Sequence, residues 1–165
     1  LKKRLLDLTA NTQALASERL ASELLPHLSP YSFVLSFMSL PHEIDTFLLN
    51  ENLAKQGRLL LPRVEKDLLL PYLVQDLQND LHLGAFGILE PIPERCFPAL
   101  PSVILVPALG FDLTYHRIGY GKGYYDRLLA QLPSVPTWGL GFKEQLVSCL
   151  PIEPHDMPLD HLYLI

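Results

Sequence analysis

The stretch Ser102-Val-Ile-Leu-Val-Pro-Ala-Leu-Gly-Phe-Asp-Leu-Thr-Tyr-His-Arg-Ile-Gly-Tyr-Gly-Lys-Gly-Tyr-Tyr-Asp126 decides the fold. It opens with an unbroken apolar run, Val103 to Val106, stopped by Pro107, which reads as a strand buried on both faces. It closes at Tyr124, where a helix is expected to run to Leu132. Strand, loop and helix in that order belong to an open α/β sheet, and such sheets bind ligands beyond their strand ends.

Outward from this stretch the same alternation repeats. Leu5 to Leu25 is expected as a helix stopped by Pro26, with Leu5, Leu8, Thr12, Leu15, Arg19 and Leu24 near one face. Tyr31 to Met38 reads as a short buried strand between Pro30 and Pro41. Glu43 to Gln56 is expected as a helix begun by acids that suit its N-terminal dipole and closed by Gly57. Arg58 to Leu61 is expected as a strand ending at Pro62, and Leu68 to Val74, which carries Pro71, as an edge or irregular strand. Gly84 to Pro101 reads as loop, while Thr137 to Leu140 and Leu162 to Ile165 read as short strands. The chain holds 38 leucines among 165 residues, and a residue that suits both helices and strands blurs the period. The expected architecture is a three-layer, Rossmann-like α/β domain over 1–165, with a mainly parallel central sheet and helices on both faces.

Composition removes several classes of function. Apolar residues make up 48% and charged residues 19%, so a packed core is expected and disorder is not. A net charge of −5 argues against a nucleic-acid partner, which selects a basic face. No stretch approaches the roughly 20 apolar residues of a membrane span, since Val103 to Phe111 is interrupted by Pro107 and Gly110. Asp7, Asn11, Thr12 and Gln13 rule out a signal-peptide core after the basic Leu1-Lys2-Lys3-Arg4. Cys96 and Cys149 are too few for a disulfide scaffold, so a reducing cytoplasm is expected; a monomer is expected as well. The six histidines show no metal-ligand spacing.

Chemistry concentrates between Arg117 and Asp126. Gly119, Gly121 and Gly123 alternate, so the backbone can approach a ligand and turn several N–H groups toward it. Such a nest ahead of a helix suits phosphate oxygens, with Arg117 and Lys122 adding positive charge and Asp126 offering a magnesium ligand. The run is neither a P-loop nor a dinucleotide fingerprint, and a glycine-rich turn with solvated charges has the same spacing.

Arg117-Ile-Gly-Tyr-Gly-Lys-Gly-Tyr-Tyr-Asp126 resembles the nucleotide-binding signature of the 5-formyltetrahydrofolate cyclo-ligase family, the methenyltetrahydrofolate synthetases. Five further stretches fall in that family's order. They are Met38-Ser-Leu-Pro-His-Glu43-Ile-Asp-Thr46, Gly57-Arg-Leu-Leu-Leu-Pro-Arg63-Val, Gly87-Ile-Leu-Glu90-Pro, Val106-Pro-Ala-Leu-Gly-Phe-Asp112 and His155-Asp156-Met-Pro-Leu-Asp160. The resemblance implies ATP, Mg2+ and 5-formyltetrahydrofolate. In that family ATP phosphorylates the formyl oxygen, a neighbouring folate nitrogen attacks the activated carbon, and phosphate leaves to give the 5,10-methenyl product.

By this resemblance Arg117, Ile118, Gly119, Tyr120, Gly121, Lys122, Gly123, Tyr124 and Tyr125 would hold ATP. Met38 and Glu43, with Tyr120 through Tyr124, would border the folate. Asp126 and Asp156 would hold magnesium, and Lys122, Arg117 and Tyr124 are the catalytic candidates. The family usually opens with a Lys and an Arg one helical turn apart that reach ATP phosphates. Here Lys2, Lys3 and Arg4 are adjacent, so Arg4 takes the Arg role and the Lys role stays open. The sequence leaves other readings standing. Tyr124, Tyr125 and Met38 also suit a core, Glu43 a helix start, and Asp156 a turn. A sugar-phosphate isomerase-like or CoA-transferase-like enzyme, or a non-catalytic nucleotide- or folate-binding module, would use a similar nest.

Overall fold

Val103 and Leu105 are buried on one side of their strand, and Ile104 and Val106 on the other. A strand with neither face wet must lie between two layers. A computed structural model describes residues 10–165 and shows those layers. In chain order the elements are α1 (Ala10–His27), β1 (Val34–Leu35), α2 (Phe47–Lys55), β2 (Leu59–Glu65), β3 (Leu68–Leu73), β4 (Leu81–Leu83), β5 (Leu89–Pro91), β6 (Phe97–Pro98), β7 (Val103–Val106), β8 (Gly110–Asp112), β9 (Arg117–Ile118), α3 (Tyr124–Gln131), β10 (Thr137–Gly141), β11 (Leu146–Val147) and β12 (His161–Leu164).

The central sheet has seven strands in the order β12-β10-β7-β1-β2-β3-β6. The first five run parallel, with Val34 opposite Val103 and Trp138 opposite Leu105, and β3 and β6 add antiparallel pairings at one side. Helices α1 and α2 cover one face, where Leu20, Leu24, Leu49 and Leu53 pack on Leu59, Leu61, Val103 and Leu105. Helix α3 covers the other, with Leu128 and Leu129 against Leu35, Leu60, Ile104 and Val106. This is the expected α/β sheet with a mainly parallel centre and helices on both faces. A small sheet, β11-β8-β9, and the β4–β5 hairpin stand beside it.

Several expected boundaries move, each for a physical reason. Pro26 does not stop α1 but lies in its last turn, which closes when the Leu28 N–H reaches the Leu24 and Leu25 carbonyls. The buried face of α1 is Ala16, Ser17, Leu20, Ala21 and Leu24, whereas Leu15 is 53% exposed. Small residues on that face let α1 lie against α2; Leu5 and Leu8 lie outside the described residues. Strand β2 passes through Pro62 to Glu65, because Pro62 sits opposite Pro71 of β3. The Pro71 carbonyl accepts from Ala99 on the far side. The two prolines therefore form a non-hydrogen-bonded pair, where neither needs an N–H. Consequently β3 is not the edge; β6 lies beyond it. The loop expected at 84–101 holds β5, β6 and a short 3-10 turn at Ala85–Gly87.

Helix α2 begins at Phe47, four residues later than expected, with Thr46 at its N-cap. The Thr46 hydroxyl donates to the Phe37 carbonyl at 2.6 Å instead of capping, and the Asn50 amide donates to the same carbonyl. Glu43 is thereby left in the loop ahead of the helix, and its reading as a helix-start acid is corrected.

Candidate functional site

The loops after β1 and β9 meet at the carboxyl side of the sheet. Glu43 and Tyr120, 77 positions apart, are joined there: the Tyr120 hydroxyl donates to Glu43 Oε1 at 2.8 Å. Glu43 Oε2 accepts the Leu40 N–H at 2.8 Å, which folds the Ser39–Glu43 loop back on itself. His42 Nε2 lies 2.6 Å from the same tyrosine oxygen. A phenol has one proton, and here it goes to the carboxylate, so His42 is the donor in that contact. Glu43 is only 7% exposed. Burial raises its carboxyl above the ordinary glutamate value, partly offset by the bonds from Leu40 and Tyr120. Burial and the charge of Glu43 push the Tyr120 hydroxyl well above the usual phenol range.

Met38 approaches the same loop from behind. The buried Asn50 amide, which bonds the Phe37 carbonyl, also lies 3.6 Å from Met38 Sδ. Met38 is partly buried and packs against the α1/α2 core, so its core role is real.

The glycine run turns from β9 into α3. Gly121 has φ +79° and Gly123 φ +67°, left-handed backbone that a side chain would strain. Gly123 is the N-cap of α3. Arg117 is not a solvated charge: its side chain is 6% exposed, and Nη2 lies 2.5 Å from Asp126 Oδ1. Its guanidinium carbon stands 5.8 Å from the Tyr125 ring centre, and its buried Nε has no acceptor among the described residues. Tyr125 packs at the margin of the α3 core, and burial together with the Glu43 charge raises its hydroxyl above the phenol range. Tyr124 packs at the same margin.

Lys122 is exposed, with Nζ 5.6 Å from the centre of the Phe86 ring. The Phe86 ring in turn lies 6.2 Å from that of Tyr124. Phe86 is 62% exposed and has φ +59°, an uncommon backbone for an aromatic residue. An exposed phenylalanine held in that conformation beside the nest is a site candidate that the sequence reading missed. It directly precedes Gly87-Ile-Leu-Glu90, so the signal lay one residue outside a quoted motif.

The two aspartates differ in setting. Asp126 shares a carboxylate oxygen with Arg117, whereas Asp156 accepts the Glu153 N–H at 2.7 Å and closes a turn. His155 Nε2 is 3.9 Å from Asp156 Oδ1. Among the described residues no three His, Cys, Asp or Glu side chains form a cation cage. Mg2+ bound between one or two carboxylates and substrate phosphates needs no such cage. Lys2, Lys3 and Arg4 lie outside the described residues.

A hairpin and a buried acid hold this frame. Asp112, 1% exposed, accepts from the Thr114 N–H and hydroxyl, the His116 N–H and the Leu150 N–H. Burial opposes its ionisation, and these four donors outweigh burial and hold its carboxyl below the ordinary value.

Comparison with known proteins gives the family and the fold. A sequence profile described as the 5-formyltetrahydrofolate cyclo-ligase family matches residues 1–164. The chain is 28% identical to the 5-formyltetrahydrofolate cyclo-ligase of Mus musculus, over 98% of this chain and 88% of the relative. It is 33% identical to that of Escherichia coli (strain K12), over 74% of this chain and 72% of the relative. The NMR structure of Aquifex aeolicus 5,10-methenyltetrahydrofolate synthetase superposes with TM-score 0.84 at 33% identity, covering 97% of this chain and 82% of that one. The Mycoplasma pneumoniae synthetase, 22% identical with TM-score 0.74 over 98% of this chain and 91% of that one, shares the fold. With a profile that runs nearly end to end and a bacterial relative matched in both sequence and fold, the assignment closes: this chain belongs to the 5-formyltetrahydrofolate cyclo-ligase family.

Proposed function

We propose that this chain is an ATP-dependent ligase that cyclises 5-formyltetrahydrofolate to 5,10-methenyltetrahydrofolate, releasing ADP and phosphate. The observation that carries the reading is the bond between Glu43 and Tyr120, which sets a buried carboxylate beside a glycine nest. One substrate offers an edge of N–H donors on its pterin ring, and the other offers phosphate oxygens. The site presents an acceptor for the first and backbone donors with two cations for the second.

The reaction asks for positioning and charge neutralisation more than for a protein nucleophile. The formyl oxygen attacks the γ-phosphorus and the bond to ADP breaks. The N10 lone pair then attacks the formyl carbon, the N10 proton is lost, and the C–O bond breaks as phosphate departs with the oxygen. The nest from Arg117 to Tyr125 holds ATP, with the Lys122 ammonium on the migrating phosphoryl group. Arg117, braced by Asp126, supplies fixed positive charge beneath it. Glu43 and Met38 hold the pterin, and Tyr120, Gly121, Gly123 and Tyr124 border both substrates. Phe86 covers the nest opposite Tyr124 and excludes water from the activated intermediate.

Mg2+, held by Asp126 and Asp156 together with phosphate oxygens, would neutralise the charge on the phosphates. Arg4, with Lys2 or Lys3, would reach the same phosphates. Residues 1–165 act as one domain and as a monomer in the cytoplasm, with no nucleic-acid or membrane partner. Two cores sharing one sheet support the single domain. No helix among the described residues is long and apolar enough to cross a membrane. The test is the near-ultraviolet absorbance of the methenyl product, recorded with 5-formyltetrahydrofolate in the presence and absence of ATP. Growth of the band only with ATP is the expected result. No growth with both substrates would refute the reading.

A further inference from the structure

Arg127 takes no part in the chemistry above, yet its guanidinium ties the nest to a distant hairpin through three contacts, two on the nest and one on the hairpin. Nε donates to the Asp67 carbonyl at 2.8 Å, at the tip of the β2–β3 hairpin. Nη2 donates to the Lys122 carbonyl at 3.0 Å. The guanidinium carbon stands 5.1 Å from the centre of the Tyr124 ring. A Cβ at Gly123 would come within 2.9 Å of Nη1, so the fit is close.

The Lys122 carbonyl and the Gly123 N–H belong to one planar trans peptide and point in opposite directions. Holding the carbonyl against Arg127 therefore fixes the direction of the Gly123 N–H. Glycines at 121 and 123 leave this peptide free to rotate in a way that larger residues would not. A nest with such glycines needs an outside restraint to keep its donors aimed. Arg127 supplies one, and it is anchored in turn to a hairpin from another part of the sheet. We infer that Arg127 is a positioning residue for the nest: it sets the Lys122–Gly123 peptide and the Tyr124 ring before ATP arrives. It adds positive potential there without touching a phosphate.

A guanidinium's planar fork offers separate donors to the two carbonyls while its carbon stays over a ring, whereas an ammonium is a compact point charge without that fixed fork. The inference rests on the nest being the ATP site, and the experiment separates the two claims. ATP affinity is measured by calorimetry, and steady-state kinetics give KM for ATP and kcat, for the full chain and for Arg127→Ala, Arg127→Lys and Lys122→Ala. Arg127→Ala is expected to weaken ATP binding and raise KM for ATP about tenfold, with kcat changed by less than about threefold. The melting temperature should stay within about 3 °C of wild type. Added guanidinium ion should recover part of the affinity of Arg127→Ala and leave Lys122→Ala unchanged, and Arg127→Lys should lie between. Wild-type affinity in Arg127→Ala overturns the inference, as does a loss that follows melting temperature across the variants or that neither guanidinium nor lysine relieves. A wild-type chain that binds no ATP, or an unaltered Lys122→Ala beside a weakened Arg127→Ala, sinks the reading of the nest itself.

Discussion

The guanidinium of Arg117 and the carboxylate of Asp126 meet at 2.5 Å across the glycine turn, the arginine almost fully buried and the aspartate half-buried. Asp126 therefore has two tasks, bracing a cation and offering an oxygen to magnesium. Asp126→Asn keeps the shape but loses the charge. It is expected to raise the Mg2+ concentration needed for half-maximal rate, and to weaken ATP binding even without metal because Arg117 loses its brace. Unchanged magnesium dependence would remove Asp126 from the metal site.

Glu43→Gln tests the pterin acceptor. The amide places a donor where a pterin N–H would also donate, a mismatch that costs roughly 1–3 kcal/mol, up to about a hundredfold in affinity. Calorimetric titration with 5-formyltetrahydrofolate should show this loss while ATP affinity stays near wild type.

Lys122→Ala is expected to lower ATP affinity about tenfold, the scale of one charge-assisted contact, and folate affinity much less. Equal loss for both ligands, measured by paired titrations, would count against a phosphate role for the ammonium.

The raised carboxyl of Glu43 gives the pH dependence a sign. The charged form binds the pterin donors, so folate affinity should fall as pH drops through a value above that of an ordinary glutamate. Tyr120 donates to the charged form and holds the value down, so Tyr120→Phe should move that limb to higher pH. In Glu43→Gln the limb should vanish. Stability carries the opposite mark. Between the ordinary and the raised value the folded chain binds more protons than the unfolded one, so the Glu43 contribution to stability declines as pH rises through that window. Affinity against pH for the three proteins checks the first claim, and denaturation midpoints check the second.

Asp112→Ala removes the acceptor of the Thr114, His116 and Leu150 N–H groups. At about 1 kcal/mol for each lost bond the expected destabilisation is roughly 3 kcal/mol. Urea denaturation should show it as a shifted midpoint.

What could be read in advance followed range along the chain. The buried strand at Val103–Val106 and the glycine turn before Tyr124 declare themselves within a few residues, and both stand where the sequence put them. The meeting of Glu43 with Tyr120 had no local signal, since their loops follow strands of two different sheets and only the packing of the whole domain brings them together. At Pro62 the missing N–H ends nothing because no donor is needed there, and at Pro26 the helix runs on to His27 because the Leu28 N–H closes the last turn past the proline. The buried face of α1 differs from the expected one because small size decides burial there as much as leucine does, with Leu20 and Leu24 buried and Leu15 exposed. Ala16, Ser17 and Ala21 won that face by being small.

The facing prolines of β2 and β3 act as a lock on sliding. If either strand shifted by one residue, a proline nitrogen would turn toward a carbonyl that needs a donor, and every side chain would change faces. A shift by two would spare the prolines but draw the tip at Asp67 away from Arg127. The hairpin is thus an arm of one permitted length, and its reach is what delivers a carbonyl to the helix beneath the nest.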